Sequence, residues 1–358
     1  MIRSWAKPPL DGPSTVLVTG GAGFIGSAFL NLLAVEFPDI KWVNLDKLTY
    51  AGNPLNLAAI ADRPNYAFER VDLAQADAVF DVVERHRPEW IFHFAAETHV
   101  DRSIQDPRTT LDANVIGTFN LLEASRTLGV RLFHEVGTDE VFGSLGAEGR
   151  FSETTPYDPS SPYSASKAAA DHLVRAWQRT YGLNTRLTNC TNNYGPRQFP
   201  EKLMPLMILN AAQGKDLPVY GDGSNVRDWL YVEDHCEAIW LAACEGDEGE
   251  TYTVGGNTEI SNLQIVNYLC EAVAERLGKD PNDLKQQIKF VADRPGHDWR
   301  YAVDTSKIAS KLGWKPQMTF KDGLAATVDW YLANGEWVES VRSGDYLKWM
   351  QLQYGSKA

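Results

Sequence analysis

Apolar positions between residues 15 and 192 follow two alternating patterns. Short runs rich in β-branched and aromatic residues predict strands, and longer stretches with apolar residues three and four positions apart predict amphipathic helices between them. The predicted strands are 15–20, 41–46, 66–73, 89–96, 130–138 and 184–192, and the predicted helices are 24–37, 77–86, 110–129 and 161–182. This alternation predicts an α/β fold in which a doubly wound parallel sheet carries helices on both faces.

Past Pro196 the pattern changes to short strands, loops and scattered helices. The segments concerned are 216–221, 227–244, 251–256, 262–278 and 287–300. They predict a smaller mixed α/β domain at the C-terminal end. Because no Gly/Ser-rich linker separates the two parts, we expect one domain over 14–195 and another over 196–345, interleaved near 190–235.

Composition restricts the class of partner. The chain has 358 residues and a formal net charge of −13, which argues against broad binding to nucleic acid or to an anionic membrane, since both need a cationic surface. The N-terminal "MIRSWAKPPLDGPS" has no apolar core of a signal peptide, and no run approaches the length of a membrane span. We therefore expect a cytoplasmic protein.

The cysteines give no sign of a metal site. Cys190, Cys236, Cys244 and Cys270 are spread singly, without a C-x-x-C pair or a histidine cluster at ligand spacing. We expect buried thiols and no metal.

A glycine-rich segment, "VTGGAGFIG", lies between the first predicted strand and the first predicted helix. Gly20, Gly23 and Gly26 are spaced as in dinucleotide-binding loops, where glycine permits a tight turn and close approach of a pyrophosphate to backbone amides. The phosphates would lie at the positive end of the helix. This segment predicts a Rossmann-type sheet with a dinucleotide site.

Acidic residues at the ends of two predicted strands extend this site. Asp46 ends the second strand, where a carboxylate accepts hydrogen bonds from ribose hydroxyls and repels a 2′-phosphate, which favours NAD over NADP. Asp72, with Leu73, closes the third strand and is placed to reach the adenine. The alternative for Asp72 is the N-cap of the following helix.

Tyr163 and Lys167, in "YSASK", are four residues apart on a predicted helix and therefore share a face. A tyrosine acting as a base near neutrality needs its pKa lowered from about 10 by roughly three units. We expect a neighbouring ammonium and a positive nicotinamide ring to lower it. A solvated pair on a helix surface is the alternative.

Thr138, Asp139 and Glu140 follow directly after the predicted buried strand 130–138. Two adjacent carboxylates in a closed pocket cannot both ionise cheaply, so one pKa should rise. The alternative is a solvated loop or the start of a helix, where acidic residues are favoured.

Together the motifs resemble a known family. The segments "VTGGAGFIGSAF", "FAAETHVDRS", "TDEVFG", "SPYSASKAAADHLVRA", "NCTNNYGPRQFPEKLMP", "PVYGDGSNVRDWLYVEDH" and "DRPGHDWRY" resemble the dTDP-glucose 4,6-dehydratase family, in the extended branch of the short-chain dehydrogenases/reductases. The resemblance runs from about residue 15 to residue 330.

This resemblance implies an NAD-dependent hydro-lyase of deoxysugar biosynthesis. C4 of the glucose is oxidised, water is lost across C5 and C6, and hydride returns to C6. Carried over by position, Glu140 is the base for the C5 proton, Asp139 the acid for the C6 hydroxyl, and Tyr163 the base for the C4 hydroxyl. Thr138 would hydrogen-bond the same hydroxyl as Tyr163, beside Lys167.

The resemblance also implies the binding residues. Those for NAD are Gly20, Gly23, Phe24, Ile25, Gly26, Asp46, Lys47, Thr49, Asp72, Leu73, Phe94, Ala95, Ala96, Thr98, Tyr163, Lys167 and Asn193. Those for the nucleotide sugar are Thr98, Thr138, Asn192, Lys202, Leu203, Pro218, Tyr220, Arg227, Asn262, Asp293, Arg294 and His297. Asp101 and Arg102 lie after the same strand as Thr98.

Three of these residues have plainer alternatives. Arg227 is equally consistent with an ion pair to the adjacent Asp228. Lys202 is consistent with a helix residue whose charged end extends to water. His297 is consistent with a loop or core histidine.

Three positions depart from the family pattern. Gly137 stands where a serine is expected, Phe142 where a tyrosine is expected, and Trp299 where an arginine is expected. The first two adjoin the proposed site, and Trp299 leaves Arg294 and Arg300 as the cations of its segment.

Two other functions compete. A 4-epimerase on a nucleotide sugar, or a dehydratase of a UDP, CDP or GDP sugar, would use the same scaffold, and a non-catalytic NAD-binding protein is the third possibility. The Asp139-Glu140 pair argues against epimerisation, which needs no loss of water. The resemblance further implies a homodimer through the helices at 110–129 and 161–182, and the alternative is that their apolar faces are buried within one chain.

Overall fold

A computed structural model describes residues 5–293 and 296–342. Its strands are β1 Thr15–Thr19, β2 Lys41–Leu45, β3 Tyr66–Glu69, β4 Trp90–His93, β5 Leu132–Thr138, β6 Thr185–Cys190, β7 Asn192–Tyr194, β8 Leu217–Tyr220, β9 Val226–Tyr231, β10 Thr251–Val254, β11 Glu259–Ser261 and β12 Ile288–Val291. Its α-helices are α1 Phe24–Glu36, α2 Ala76–His86, α3 Val100–Gln105, α4 Pro107–Leu111, α5 Gly117–Leu128, α6 Pro162–Tyr181, α7 Leu203–Gln213, α8 Val232–Glu245, α9 Asn262–Leu277, α10 Pro281–Lys285, α11 Ser306–Leu312, α12 Phe320–Ala333 and α13 Gly335–Val341. Short 3₁₀ turns cover Pro54–Leu57 and Asp139–Phe142, and a π-helical turn covers Asp112–Ile116.

The main sheet has seven parallel strands in the order β10-β6-β5-β4-β1-β2-β3. The strand order reverses between β1 and β4, and ligands bind at this switch point in open α/β sheets. Helices cover both faces of the sheet. The predicted Rossmann-type fold is confirmed, with strand ends within a few residues of their predicted positions.

Aromatic residues fill the space between the sheet and α1 with α8. Phe29, Trp42, Phe92 and Trp240 are completely buried, and the ring centroids of Phe29 and Phe92 are 4.8 Å apart. Burial of a side chain of this size contributes roughly 1.5–3 kcal/mol, so this cluster holds α1 and α8 against β2 and β4.

The predicted helix 110–129 is interrupted. Its first part is α4, which starts at residue 107, and a π-helical turn over Asp112–Ile116 joins α4 to α5. Asn114 in that turn is buried; its side chain accepts from Glu97 N at 2.8 Å and donates to Ser166 Oγ at 2.9 Å. Such turns often occur at functional sites, and this one connects the end of β4 to α6.

One strand predicted for the smaller domain belongs to the main sheet. β10 pairs in parallel with β6, with Thr251 opposite Leu187 and Val254 opposite Cys190. Pairing partners distant in sequence cannot be read from a local pattern, which explains the difference. The remaining C-terminal strands form a three-stranded sheet, β11-β9-β7, and a two-stranded sheet, β12-β8.

A second core lies among α7, α9 and α12. Leu209, Leu269, Val273 and Val328 are among its buried members. The division of the chain at residue 196 stays a prediction, since β10 returns from the second half into the first sheet.

Within the described ranges, no helix combines the length and apolarity that crossing a membrane would require. Cys190, Cys236 and Cys270 are buried, and Cys244 is half-buried.

Candidate active site

The glycine loop forms a close turn at the carboxyl end of β1. Gly20 has φ +69°, and a Cβ there would lie 2.6 Å from Ala95 N. A Cβ on Gly26 would lie 2.4 Å from Gly20 O, so both positions require glycine. Gly23 is the N-cap of α1, and the amides at the start of that helix form a cradle suited to a pyrophosphate.

Asp46 is tied to this loop. Its Oδ2 accepts from Ala22 N at 3.0 Å, and its Oδ1 accepts from Leu48 N at 2.8 Å. Burial raises the pKa of Asp46, and these two backbone hydrogen bonds oppose the rise. A carboxylate fixed beside the cradle is suited to accept hydrogen bonds from ribose hydroxyls.

Asp72 does not cap a helix. The N-cap of α2 is Gln75, so that alternative is wrong. Asp72 Oδ1 instead accepts from Ala74 N at 3.0 Å, and its Oδ2 lies 3.6 Å from Lys47 Nζ.

These residues line one cavity of about 290 Å³, which we call the first pocket. It follows the carboxyl ends of β1, β2, β4, β5 and β6. It contains every residue that the sequence predicts for cofactor binding: Gly20, Gly23, Phe24, Ile25, Gly26, Asp46, Lys47, Thr49, Asp72, Leu73, Phe94, Ala95, Ala96, Thr98, Tyr163, Lys167 and Asn193.

The acidic pair lies at the inner end of the first pocket. Thr138 ends β5 and caps the 3₁₀ turn that follows, since its Oγ1 accepts from Glu140 N at 3.3 Å. Asp139 and Glu140 therefore do start a helical turn, as one alternative held. Asp139 is nevertheless only 2% exposed, which excludes a solvated loop.

Asp139 is a buried carboxyl group. Burial raises its pKa well above the usual range, Glu140 adds to the rise, and Arg227 opposes it. Its Oδ2 has no hydrogen-bond partner among the described residues. A carboxyl group that stays protonated near neutrality can donate a proton.

Tyr163 and Lys167 enter the same pocket from α6. A capping box at Ser161 fixes the start of this helix. Burial raises the pKa of Tyr163 well above 10, Glu140 and Cys190 add to the rise, and a hydrogen bond with Thr138 opposes it. The expected lowering by Lys167 is not the net effect, because burial of the phenol dominates. The Lys167 ammonium lies 2.5 Å from the carboxylate of Glu135.

A second cavity of about 170 Å³, the second pocket, adjoins the first. Thr98, Glu140, Asn192, Glu201 and Lys202 line both. Of the residues predicted for substrate binding, Thr98, Asn192, Lys202, Leu203, Pro218, Tyr220, Arg227, Asn262 and His297 line the second pocket.

The other three predicted substrate residues lie elsewhere. Thr138 lines the first pocket. Asp293 stands beside the second, where its Oδ1 is 2.6 Å from His297 Nδ1. Arg294 lies outside the described residues.

Arg227 is a buried cation and not a surface one. It is 5% exposed, and its guanidinium donates to the carbonyls of Asp298 at 2.9 Å and Trp299 at 3.2 Å. The guanidinium carbon lies 4.4 Å from the centre of the Tyr301 ring. Lys202 is the N-cap of α7, before the helix begins, and its Nζ donates to Thr98 O at 2.9 Å.

Two polar atoms of the second pocket are suited to a bound ligand. Asn192 Oδ1 and Trp229 Nε1 are buried and have no hydrogen-bond partner among the described residues. Buried polar groups are normally satisfied, so an acceptor and a donor are available to a polar ligand at this place.

This chain is similar to known proteins. The family model for GDP-mannose 4,6 dehydratase matches residues 17–327. A dTDP-glucose 4,6-dehydratase of Shigella flexneri is 51% identical over 95% of this chain and 98% of that protein. A solved dTDP-glucose 4,6-dehydratase of Streptomyces venezuelae, with NAD and TYD bound, has a TM-score of 0.86 and 45% identity over 92% of this chain and all of that one. That of Bacillus anthracis, in complex with NAD, has a TM-score of 0.83 at 45% identity, over 92% of this chain and 99% of that one.

The chain belongs to the dTDP-glucose 4,6-dehydratase family.

The departures from that family's pattern have local structural correlates. A Cβ at Gly137 would lie 2.5 Å from Asn189 Nδ2, so a serine there would need Asn189 to move. The Phe142 ring stacks on Phe151 with centroids 5.1 Å apart. Trp299 is 41% exposed, and its carbonyl rather than its side chain contacts Arg227.

Several site residues escape sequence reasoning. Glu201 lines both pockets and is bonded to Tyr50 Oη at 3.0 Å and to Arg102 Nε at 3.1 Å. These three residues come from distant segments, so no local pattern links them. Glu135 did carry a signal, because a carboxylate in the middle of a buried strand is unusual.

Proposed function

We propose that the chain is an NAD-dependent hydro-lyase that converts dTDP-glucose to dTDP-4-keto-6-deoxyglucose. The observation that carries this is the place of Glu140, which lines both pockets beside the buried Asp139. A sugar held where the pockets meet would thus face a base, an acid and Tyr163 together. The three relatives named above are dTDP-glucose 4,6-dehydratases, whose name states the same substrate and the same loss of water.

NAD fits the first pocket through the glycine cradle and Asp46, and when bound it accepts hydride from C4 of the sugar and returns it to C6. Asp46 accepts hydrogen bonds from a ribose, and its charge disfavours a 2′-phosphate at that place. Asn193, which also lines the pocket, donates to Thr191 O at 2.9 Å.

Tyr163 and Thr138 act on the C4 hydroxyl. Tyr163 takes the hydroxyl proton as C4 becomes a ketone, and the Thr138 hydroxyl orients the same oxygen. Because the surrounding residues raise the pKa of Tyr163, a nearby positive charge is needed for the tyrosinate to form.

The two proton transfers of the elimination are carried out by different carboxyl groups. The ketone acidifies the C5 proton, which Glu140 removes. Asp139, kept protonated by burial, donates its proton to the C6 hydroxyl, which leaves as water. Reprotonation at C5 completes the turnover with no net change in redox state.

The second pocket would hold the nucleotide. Arg227 supplies a buried cation for the diphosphate, with Asn262 and Lys202 beside it. Pro218 and Tyr220 border the base. Asn192 and Thr98, shared by both pockets, are placed for the sugar.

We further propose a homodimer. Four apolar side chains on α4 to α6 are each at least 40% exposed: Leu111, Ile116, Phe119 and Tyr181. The alternative, that such side chains are buried within one chain, does not hold for these four. A second copy that packs the same helices against them would cover this face. Light scattering should give twice the chain mass, and Phe119→Asp should give monomer; a monomeric parent would contradict the proposal.

Cytoplasmic location and the division into domains at 14–195 and 196–345 remain part of the proposal. Limited proteolysis tests the second: cuts near residue 196 that release two folded pieces would contradict the interleaving expected around 190–235.

The test of function is direct. The purified protein is incubated with dTDP-glucose, and in parallel with the UDP, CDP and GDP sugars, with and without added NAD, and products are identified by mass spectrometry and NMR. Loss of one water with a 4-keto-6-deoxy product supports the proposal and ranks the nucleotides. Formation of galactose would instead support the 4-epimerase, and no product from any sugar would contradict both.

A further inference from the structure

Lys167 is held between two buried carboxylates. Its Nζ lies 2.5 Å from Glu135 Oε1 on β5. Asp171 lies one turn further along α6 and favours the charged form of the lysine. Glu135 and Asp171 are completely buried, and Lys167 is 4% exposed. One positive charge therefore faces two buried carboxyl groups.

Glu135 has Lys167 as its charged partner. Its second oxygen, Oε2, is buried without a hydrogen-bond partner among the described residues. His93 Nε2 lies 3.9 Å away, but that nitrogen donates to Thr118 Oγ1, whose hydroxyl donates to Asn114 O. Burial lowers the pKa of His93 far below its usual range, so the imidazole is neutral.

Asp171 is engaged differently. Its Oδ2 accepts from Tyr157 Oη at 2.7 Å and from Asn189 Nδ2 at 2.9 Å. These two neutral donors satisfy one oxygen of the carboxyl group, whereas the contact of Glu135 is with the ammonium itself. The shortest link of Lys167 is therefore to Glu135.

A charge pair in contact acts on a third group more weakly than a single charge does, because the two fields largely cancel with distance. We propose that Glu135 is a positioning residue that fixes Lys167 and offsets its charge, and so limits how strongly the ammonium favours the tyrosinate form of Tyr163. The inference rests on the proposed function only in taking Tyr163 as the base.

Glu135 has two opposed effects on this site. Without a partner, burial would favour the neutral amine of Lys167, and Glu135 together with Asp171 raises its pKa instead. The same carboxylate weakens the field of that ammonium. The other titratable groups facing the cluster or Tyr163 are His93 on β4, Asp139 and Glu140 after β5, Tyr157, and Cys190 on β6.

Two variants at one position separate charge from packing. Glu135→Gln keeps the shape and removes the charge, while Asp171 still faces Lys167 and keeps it protonated. Tyr163 should then ionise at a pH lower by about half to one unit. Glu135→Asp keeps the charge and should leave the ionisation of Tyr163 as in the parent.

Tyrosinate absorbance measures this without catalysis. Each NAD-loaded protein is titrated with base against its own Tyr163→Phe counterpart, and the difference reports Tyr163 alone. A lower midpoint in Glu135→Gln but not in Glu135→Asp supports the proposal. Equal midpoints in all three proteins, or equal shifts in both variants, would overturn it. A higher midpoint in Glu135→Gln would also overturn it, since Lys167 would then have lost its proton.

Failure of the proposed function would look different. In that case the parent protein would give no 4-keto-6-deoxy product from dTDP-glucose, whatever the titration of Tyr163 shows. The melting temperature of each variant is measured beside the titration, so that an unfolded variant is recognised. Glu135→Asp serves as the second folded variant for comparison with the parent.

Discussion

The two pockets are built in contrasting ways. The first lies along the carboxyl ends of parallel strands and includes a glycine turn that tolerates no Cβ at Gly20 or Gly26. The second is lined by residues from segments between Thr98 and Tyr301, carried by loops and by α3, α7, β8, β9 and the start of α9. A site built around such a turn is indicated by a short motif, whereas a site assembled from distant segments depends on the whole fold.

The contrast extends to chemistry. Reactive groups lie where the pockets meet: Glu140 lines both, and Tyr163 with Asp139 lines only the first. The second pocket supplies a buried cation, Arg227. Changes to the first group should therefore alter rate, and changes to the second should alter substrate affinity.

The largest effect is expected from Tyr163→Phe. Without the phenolic oxygen the C4 proton has no acceptor, so oxidation should slow by about 10⁴-fold and reduced nicotinamide should not accumulate. Rapid-mixing absorbance with dTDP-glucose measures this. Tyr268→Phe, at an exposed position on α9, is the matched control. Reduced nicotinamide formed at the parental rate would refute the role of Tyr163.

Glu140→Gln should cost about 10³-fold in turnover while C4 oxidation continues. Reduced nicotinamide should then build up, and the C5 proton should not exchange with solvent deuterium. Asp139→Asn is the comparison: there the C5 proton should exchange but water should not leave. Exchange at the parental rate in Glu140→Gln would mean that another group is the base.

A smaller effect is expected behind the first pocket. Burial raises the pKa of Asp171 to about 6, above its unfolded value. The folded state therefore binds this proton more tightly, so stability is gained below the unfolded pKa and is lost as pH rises through about 6. Asp171→Asn should raise the free energy of unfolding by up to about 3 kcal/mol at alkaline pH, because the cost of burying the charged carboxylate is removed. Its melting temperature should exceed the parent's by a few degrees near pH 8 and by clearly less near pH 4, close to the unfolded pKa. An equal difference at both pH values would contradict this.

Residues with a local sequence signal lie together in the structure. Gly20, Asp46 and Tyr163 were predicted from spacing and strand ends, because short connections place the carboxyl ends of parallel strands at one edge. Three features escaped it: the π-helical turn at Asp112–Ile116, the pairing of β10 with β6, and the Glu135–Lys167 contact. Each depends on residues far apart in the chain, whose packing energy decides between locally equivalent structures.

The smallest effect is expected in the second pocket, on recognition of the nucleotide sugar. In Arg227→Lys the charge remains, but an ammonium cannot satisfy the Asp298 and Trp299 carbonyls and lie flat over Tyr301 while also reaching two phosphate oxygens. We expect KM for dTDP-glucose to rise about tenfold with kcat unchanged, which corresponds to about 1.4 kcal/mol. Arg150→Lys, at a half-exposed arginine paired with Glu259, should leave both constants unchanged. A loss in kcat without a change in KM would show that Arg227 acts on the reacting sugar, and the separation between a pocket for chemistry and a pocket for affinity would fail.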